Sequence, residues 1–352
     1  MTNQKNLRRM SWLLCFTGTM ALLVLPGLVK GQDDGKLKSA QELAQTLRER
    51  LQQDWTPPEV PPYPVLAAEQ RDTRLILYRE GASDWNNPDS IAWQWDPSKA
   101  LPADQAKWFG NISECKSACG TSCALVAASG GGVALIRLED SAILFYGLAG
   151  GNTHSIAMTP DGNFISASST GAFLALFVPQ GDLSEPASAP TPIYKKFPYF
   201  GAHGVVWDDK RQILWALGSR EITAYRYIGG KESPDLQEIW KQELKGAANN
   251  GHDLYPAPGY DALMTTGEGV TVFDPDKKEF IEVSNRHGVK SISLSHDGLT
   301  LLQCATIEWW CESVFYDDLK KHKVGTYDGA KFYKARWFEP NEFSEGRVSS
   351  QK

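Results

Sequence analysis

The chain has no GxSxG nucleophile elbow, no phosphate-binding loop, no HExxH and no dinucleotide fingerprint, so the common hydrolase, nucleotide, metalloprotease and Rossmann chemistries have no anchor in it. No CxxCH run is present to attach haem, and no double CxxC to hold structural zinc. Positive charge is scarce: 36 Lys and Arg stand against 42 Asp and Glu, without a basic run. That balance excludes a nucleic-acid partner and adhesion to anionic lipid as expectations, and favours neutral or cationic partners unless a local patch overrides the average.

Long apolar runs are also lacking, with one exception at the N-terminus. Lys5, Arg8 and Arg9 precede an apolar stretch from Ser11 to Val29, and Val29, Lys30 and Gly31 make a small-residue cleavage site before Gln32. Residues 1–31 therefore read as a signal peptide, which places the mature protein outside the cytoplasm, secreted or periplasmic. An uncleaved signal anchor is the alternative and would be the one membrane contact, because the run is nearly long enough to span a bilayer. Cys15 lies too early in the run for lipoprotein cleavage. Loss of this segment removes four basic and no acidic residues, taking the formal net charge from −6 to −10.

Export makes disulfides the default reading of Cys115, Cys119, Cys123, Cys304 and Cys311. Cys304 and Cys311 flank the turn ATIEWW and are expected to pair across a hairpin. Either Cys115 or Cys119 is expected to close on Cys123, leaving one thiol over.

Past the leader, SAQELAQTLRERLQQDW places Leu43, Leu47 and Leu51 on one face at helical spacing. TPPEVPPYP, residues 56–64, then reads as a stiff extended linker, so that residues 32–64 form a helix and a Pro-rich connection. From Val65 the dominant feature is a repeat. A histidine opens an apolar strand in THSIAMTPDG (His154), AHGVVWDDKRQ (His203), GHDLYPAPGYD (His252) and RHGVKSISLSHDG (His287). Each unit continues with a turn, a second strand and a third, and units of this length with several short strands signal a β-propeller. VLAAEQRDTRLILYR and CALVAASGGGVALIRL supply two further second-to-third hairpins. The expected fold is an all-β, six-bladed propeller over residues 65–340, with a polar tail from 341 to 352. Loose spacing between residues 80 and 113 leaves a seventh blade open. Because Val65 begins a second strand, KFYKARWFEP (331–340) is expected to return and complete blade one, so that no sheet edge stays exposed.

Residues opening equivalent inner strands should ring the axis. The register proposes Lys334, Glu114, His154, His203, His252 and His287. Converging imidazoles and a carboxylate are ligands for Mn, Fe or Zn, which makes His154, His203, His252, His287 and Glu114 the candidate metal set, while Lys334 suits a carboxylate ligand. Turns between second and third strands supply Glu69, Arg71, Arg220, Glu268, Trp309 and Trp310 to the same face. Hydroxyls, charges and aromatics in one place suit sugar recognition. The tryptophans within strands, such as Trp207 and Trp215, are expected to pack between blades.

The strings GGNTHSIAMTPDGNFISASSTG, AHGVVWDDKRQILWALGS, GHDLYPAPG, TTGEGVTVFDP, VKSISLSHDG and FYKARWF resemble an uncharacterised family of exported, mainly bacterial propeller-type proteins, a domain of unknown function. The likeness covers most of residues 65–338 and implies the fold and its register, but no activity. In architecture alone, a histidine ring on a propeller axis is similar to the metal site of oligogalacturonate lyases.

The functional expectation is an exported, monomeric propeller that binds a carbohydrate or acidic sugar in an axial funnel, with or without a divalent metal. If it has lyase or hydrolase chemistry, His203, His252 or Lys334 is the candidate catalytic base. The alternative is a non-catalytic interaction or scaffold propeller of the cell envelope, held by its N-terminal helix. A third reading is a redox or metal-delivery role for the leftover thiol.

Overall fold

A computed structural model describes residues 37–52, 55–318, 320–341 and 343. The signal-peptide reading and most of the polar tail lie outside these residues. Among the described residues, six antiparallel four-stranded sheets form the blades of a β-propeller. The sequence explains the layering of each blade. Second and third strands lie between neighbouring blades and are buried on both faces, so they read as continuous apolar runs, as in Cys123–Ala128 and Gly132–Arg137. Outer strands meet solvent and mix polar with apolar residues, as in Asp235–Glu243.

Blade one is closed by the end of the chain. Phe332–Trp337 is its inner strand and pairs antiparallel with Val65–Glu69, followed outward by Arg74–Tyr78 and Ile91–Trp95. The other inner strands are Ile112–Ala118, Thr153–Met158, Gly204–Asp208, Asp253–Pro256 and Val289–Leu294. Each lies against the inner strands of the two adjacent blades.

Residues 80–113 hold no seventh blade. After Tyr78 the chain crosses to blade six, where Trp85 stacks on Tyr78 with ring centroids 3.9 Å apart and its backbone N–H donates to the Thr326 carbonyl at 3.2 Å. Gly325 makes this possible, since a Cβ there would lie 2.1 Å from the Trp85 ring. The segment returns through Ile91–Trp95 and short helical turns between Pro97 and Phe109.

Helix α1, Ala40–Gln52, begins at a capping box: the Ser39 N–H donates to Glu42 Oε2 at 2.7 Å and the Glu42 N–H to Ser39 Oγ at 3.3 Å. Leu43, Leu47 and Leu51 are fully buried against blades five and six, among Tyr255, Met264, Val283 and Ile292. The Pro-rich segment after it is packed rather than free. Tyr63 lies edge-on to Trp337 at 5.9 Å, and the Pro64 carbonyl accepts from Phe338 N–H. The start of the expected polar tail is also docked, with Asn341 and Phe343 buried and the Phe343 carbonyl accepting from Asp209 N–H at 3.0 Å.

The cysteines depart from expectation, since no disulfide forms among the described ones. Leu302 pairs with Phe315, a register that carries Cys304 toward Ser313 rather than Cys311. Cys311 instead pairs with Phe332 through the backbone, and its sulfur accepts from Thr306 Oγ1 at 3.0 Å. Cys115 is buried between blades, with its sulfur directed at the Leu66 and Lys334 carbonyls.

Inside the ring the channel is filled by charge. Arg336 donates twice to Asp253, at 2.7 and 2.6 Å, and once to Glu114 Oε1 at 3.0 Å. Lys334 Nζ lies 3.0 Å from Glu114 Oε2 and 3.0 Å from Asp253 Oδ1. Lys116 stands 3.8 Å from Glu114 and gives its three protons to Ser155 Oγ and the carbonyls of Ile156 and Val205. Burial works against ionisation of both carboxyls, but Lys334 and Arg336 outweigh it and hold them below the usual carboxylate range. Burial lowers Lys116 to about 8, against the pull of Glu114, so it stays an ammonium at neutral pH. Three cations thus face two carboxylates.

Two substitutions test this account. Leu47→Ala is expected to lower the unfolding free energy by about 2–5 kcal/mol through the cavity under α1. Arg336→Met, which leaves two buried carboxylates short of a partner, is expected to cost about 3–5 kcal/mol. Both are read from urea denaturation midpoints at unchanged slope. An Arg336→Met protein as stable as the parent would show that the ring closes without this network.

Candidate functional site

At the end of the axis where the inner strands begin, three of the repeat histidines meet. His154 stacks on His203 with ring centroids 4.7 Å apart, and His203 meets His252 edge-on at 5.1 Å. Tyr333 lies beside His154 at 5.5 Å. His203 and His252 are half-buried, whereas His154 is buried. His287 does not join them: it is 74% exposed and its Nδ1 lies 3.0 Å from Glu268. Lys290 stands in its place, with Nζ 3.3 Å from His252 Nε2.

The inner strands differ both in register and in where they begin relative to the repeated histidine. Pairing shifts between Ile112 and Glu114, between Thr153 and Ser155, and between Val289 and Ser291, whereas the inner strands of blades four and five pair without a shift. An extra residue turns every later side chain to the other face. In blade six Lys290 sits at that shift, while His287 lies in a turn two residues ahead of the strand that begins at Val289. Glu114 and Lys334, expected in the same ring as the histidines, lie one layer deeper in the charged channel.

Hydrogen bonds fix the protons on two imidazoles. His203 Nδ1 lies 2.7 Å from the Gly201 carbonyl, which only accepts, so Nδ1 carries the proton and Nε2 keeps its lone pair. His252 Nε2 accepts from Lys290, so its proton also sits on Nδ1, which is buried and has no hydrogen-bond partner among the described residues. His154 Nδ1 is likewise buried without a partner. Burial, then neighbouring His203 and Lys334, hold His154 well below the usual imidazole range. Burial brings His203 down to about 4 despite its bond to Gly201, with Lys334 and Lys290 adding to the effect. Burial and then Lys290 bring His252 to about 3. All three are neutral at pH 7, beside the Lys290 amine and above a channel with more positive than negative charge.

Two members of the expected metal set are engaged by cations, while His203 keeps its Nε2 lone pair. Lys290 occupies His252 Nε2, and the oxygens of Glu114 are held by Lys334 and Arg336. Among the described residues no group of three or more His, Cys, Asp or Glu side chains is placed to hold a metal ion.

The expected rim residues differ in availability. Glu69 is buried and accepts from the backbone N–H groups of Arg71, Asp72 and Lys331, so it shapes its turn. Arg71 is engaged by Asp72, Tyr327 and the Asp328 carbonyl. Arg220 covers the Phe200 ring at 4.7 Å. Glu268 pairs with His287, and it partly offsets the burial that lowers Lys290 below the usual lysine range. Trp309 is 47% exposed, with its Nε1 donating to Gln70 at 3.0 Å, and Lys331 lies over Trp310 at 5.0 Å.

Sequence reasoning missed Lys116, Asp253, Lys290 and Arg336. A signal for three of them was present. In ECK, HDLY and KAR, polar residues recur at two-residue spacing or follow the histidine on strands that are otherwise buried, which marks a face turned to the channel.

No curated protein matches the chain in sequence. Among solved structures, a hydrazine synthase from Kuenenia stuttgartiensis is 11% identical over 55% of this chain and 56% of that one, with a TM-score of 0.41. This chain thus spans little more than half of that protein. A protein of unknown function from Bacteroides caccae is 10% identical over 78% of this chain and 98% of that one, with a TM-score of 0.49. A functionally unknown protein from Desulfotomaculum acetoxidans is 12% identical over 81% and 83%, with a TM-score of 0.48. Scores and identities this low say nothing of chemistry. A sequence profile, by contrast, matches residues 44–349, which takes in most of α1 and the whole propeller, and on that match the chain belongs to the DUF6528 family, a family of unknown function.

Proposed function

We propose that the axial mouth captures a small acidic ligand, with an acidic sugar as the class best suited to the rim, and that the protein acts by binding rather than by chemistry on the ligand. The observation that carries this reading is the Lys290 ammonium set against His252 beside the stacked pair His154 and His203. A carboxylate in this place gains the Lys290 amine and an N–H donor from His252, whose Nδ1 proton lacks a partner among the described residues. The excess positive charge in the channel beneath favours the same sign of ligand. Half-exposed Trp309 offers an aromatic face on the rim for a sugar ring. Imidazoles held to about 4 and about 3 are weak bases, which favours capture over the proton abstraction a lyase requires. The scaffold alternative depends on α1 as an anchor, and the apolar face of that helix is already buried in its own propeller.

Calorimetric titration with galacturonate oligomers and with neutral oligomers of equal length tests the proposal. Acidic oligomers should bind, neutral ones at least tenfold more weakly, and Lys290→Ala should reduce the acidic affinity by roughly tenfold to a hundredfold, as for loss of a charge-assisted hydrogen bond. Equal binding of the two ligands, or an unaffected Lys290→Ala variant, would sink it. Elemental analysis beside this titration distinguishes metal-borne capture: binding that disappears with chelation would assign the ligand to a metal instead.

A pH dependence follows with a defined sign. The free histidines are depressed, and they face Lys290, Lys334, Asp253, Glu268 and Tyr333. A bound anion raises their pKa values, so binding takes up protons. Affinity should therefore rise as pH falls from 8 toward 5 while the ligand carboxylate stays ionised. Titrations in two buffers of different ionisation enthalpy measure the uptake, and proton release on binding would contradict it.

A further inference from the structure

At the opposite end of blade two from the histidines, the turn between its inner and second strands brings two cysteines together. Ala118 and Cys123 are paired across the hairpin, and Cys119 is the next residue into the turn. Ser122 holds that turn closed from both its N–H, at 3.2 Å, and its hydroxyl, at 2.7 Å, with the Cys119 carbonyl accepting both. Cys119, Gly120 and Thr121 all have positive φ, of 53°, 61° and 71°. The two non-glycine residues there adopt a left-handed conformation that L residues rarely take, which tightens the turn between Cys119 and Cys123. The neighbouring Cys119 side chain acts on the Cys123 thiol, and Ser122 Oγ lies 3.9 Å from Cys123 Sγ. Cys119 is half-exposed and Cys123 is buried.

We infer that Cys119 and Cys123 are a reversible dithiol–disulfide pair, in which Cys119 receives a low-molecular-weight disulfide and Cys123 resolves it. The inference is independent of the axial mouth. In the first step the Cys119 thiolate, its proton passed to Cys123, attacks one sulfur of the small disulfide. A mixed disulfide forms and one small thiolate leaves. Cys123 then loses its proton to solvent and attacks the Cys119 sulfur, forming the intramolecular disulfide and releasing the second small thiol. Two protein thiols are oxidised by two electrons and one disulfide is reduced to two thiols.

The environment separates this pair from two of the other cysteines. The bond from Cys119 leads in lowering Cys123 to about 7 against the effect of burial, helped by Ser122 and by Arg137, its partner on the third strand. Burial pushes Cys115 and Cys304 up to about 12, where a thiol is inert at neutral pH.

The test uses the full chain, incubated with excess oxidised glutathione at pH 7, alkylated in denaturant and mapped by mass spectrometry. Cys119 and Cys123 should escape alkylation as an intramolecular disulfide without a glutathione adduct, while Cys115 and Cys304 are alkylated. In Cys123→Ser, a glutathione adduct should persist on Cys119, and the reaction of Cys119 with a thiol reagent should slow by roughly tenfold as the shared proton is lost. The inference is overturned if both thiols of the parent remain alkylatable after oxidation, or if Cys123→Ser gains no adduct.

Discussion

Two cations on the last strand, Lys334 and Arg336, meet two carboxylates contributed by blades two and five, and the rest of the architecture depends on that encounter. All four side chains are fully buried, so each would be a severe liability alone. Together they fill a channel that apolar side chains from six converging strands would have to fill otherwise. The strand that closes the ring is also the strand that neutralises its centre. Blade one and the axis are therefore completed by the same event.

The charged channel also sets the character of the mouth above it. Lys334 contributes to the depression of all three clustered histidines. Burial, with Lys334 adding to it, keeps them neutral, and neutral imidazoles pack face to face and edge to face as aromatic rings do. A second cation, Lys290, is admitted beside them because His252 presents a lone pair rather than a proton. The site is thus a stack of three uncharged imidazoles in a positive surrounding, with the fourth repeated histidine, His287, outside it.

The contrast shows where sequence was informative. The six hairpins of second and third strands were legible because doubly buried strands appear as unbroken apolar runs with turn residues between them. The returning strand was legible because Val65 starts a blade one strand short. Leu43, Leu47 and Leu51 marked the buried face of α1 through their spacing. Register within the inner strands was not legible. A one-residue shift at His154 or Lys290 leaves composition and spacing almost unchanged, yet it decides which side chain reaches the axis. The same limit applies to the cysteines: Cys304 and Cys311 flank a plausible turn, but the pairing of Leu302 with Phe315 sets them out of line. Buried charge was hidden for another reason. Lys116 and Arg336 read as surface residues until strands from different blades supply their partners.

Closure by the final strand gives the chain an order of assembly. Blades two to six are each built from consecutive strands and form from local contacts as the polypeptide lengthens. Blade one joins segments more than 260 residues apart, so its pairing bears the largest loop-closure entropy in the molecule. Until Phe332–Trp337 arrives, Glu114 and Asp253 face an open channel without their cations, and Val65–Glu69 presents a bare edge. An incomplete chain is therefore both unneutralised at its centre and adhesive at its margin, a state that quality-control machinery readily distinguishes from the finished ring.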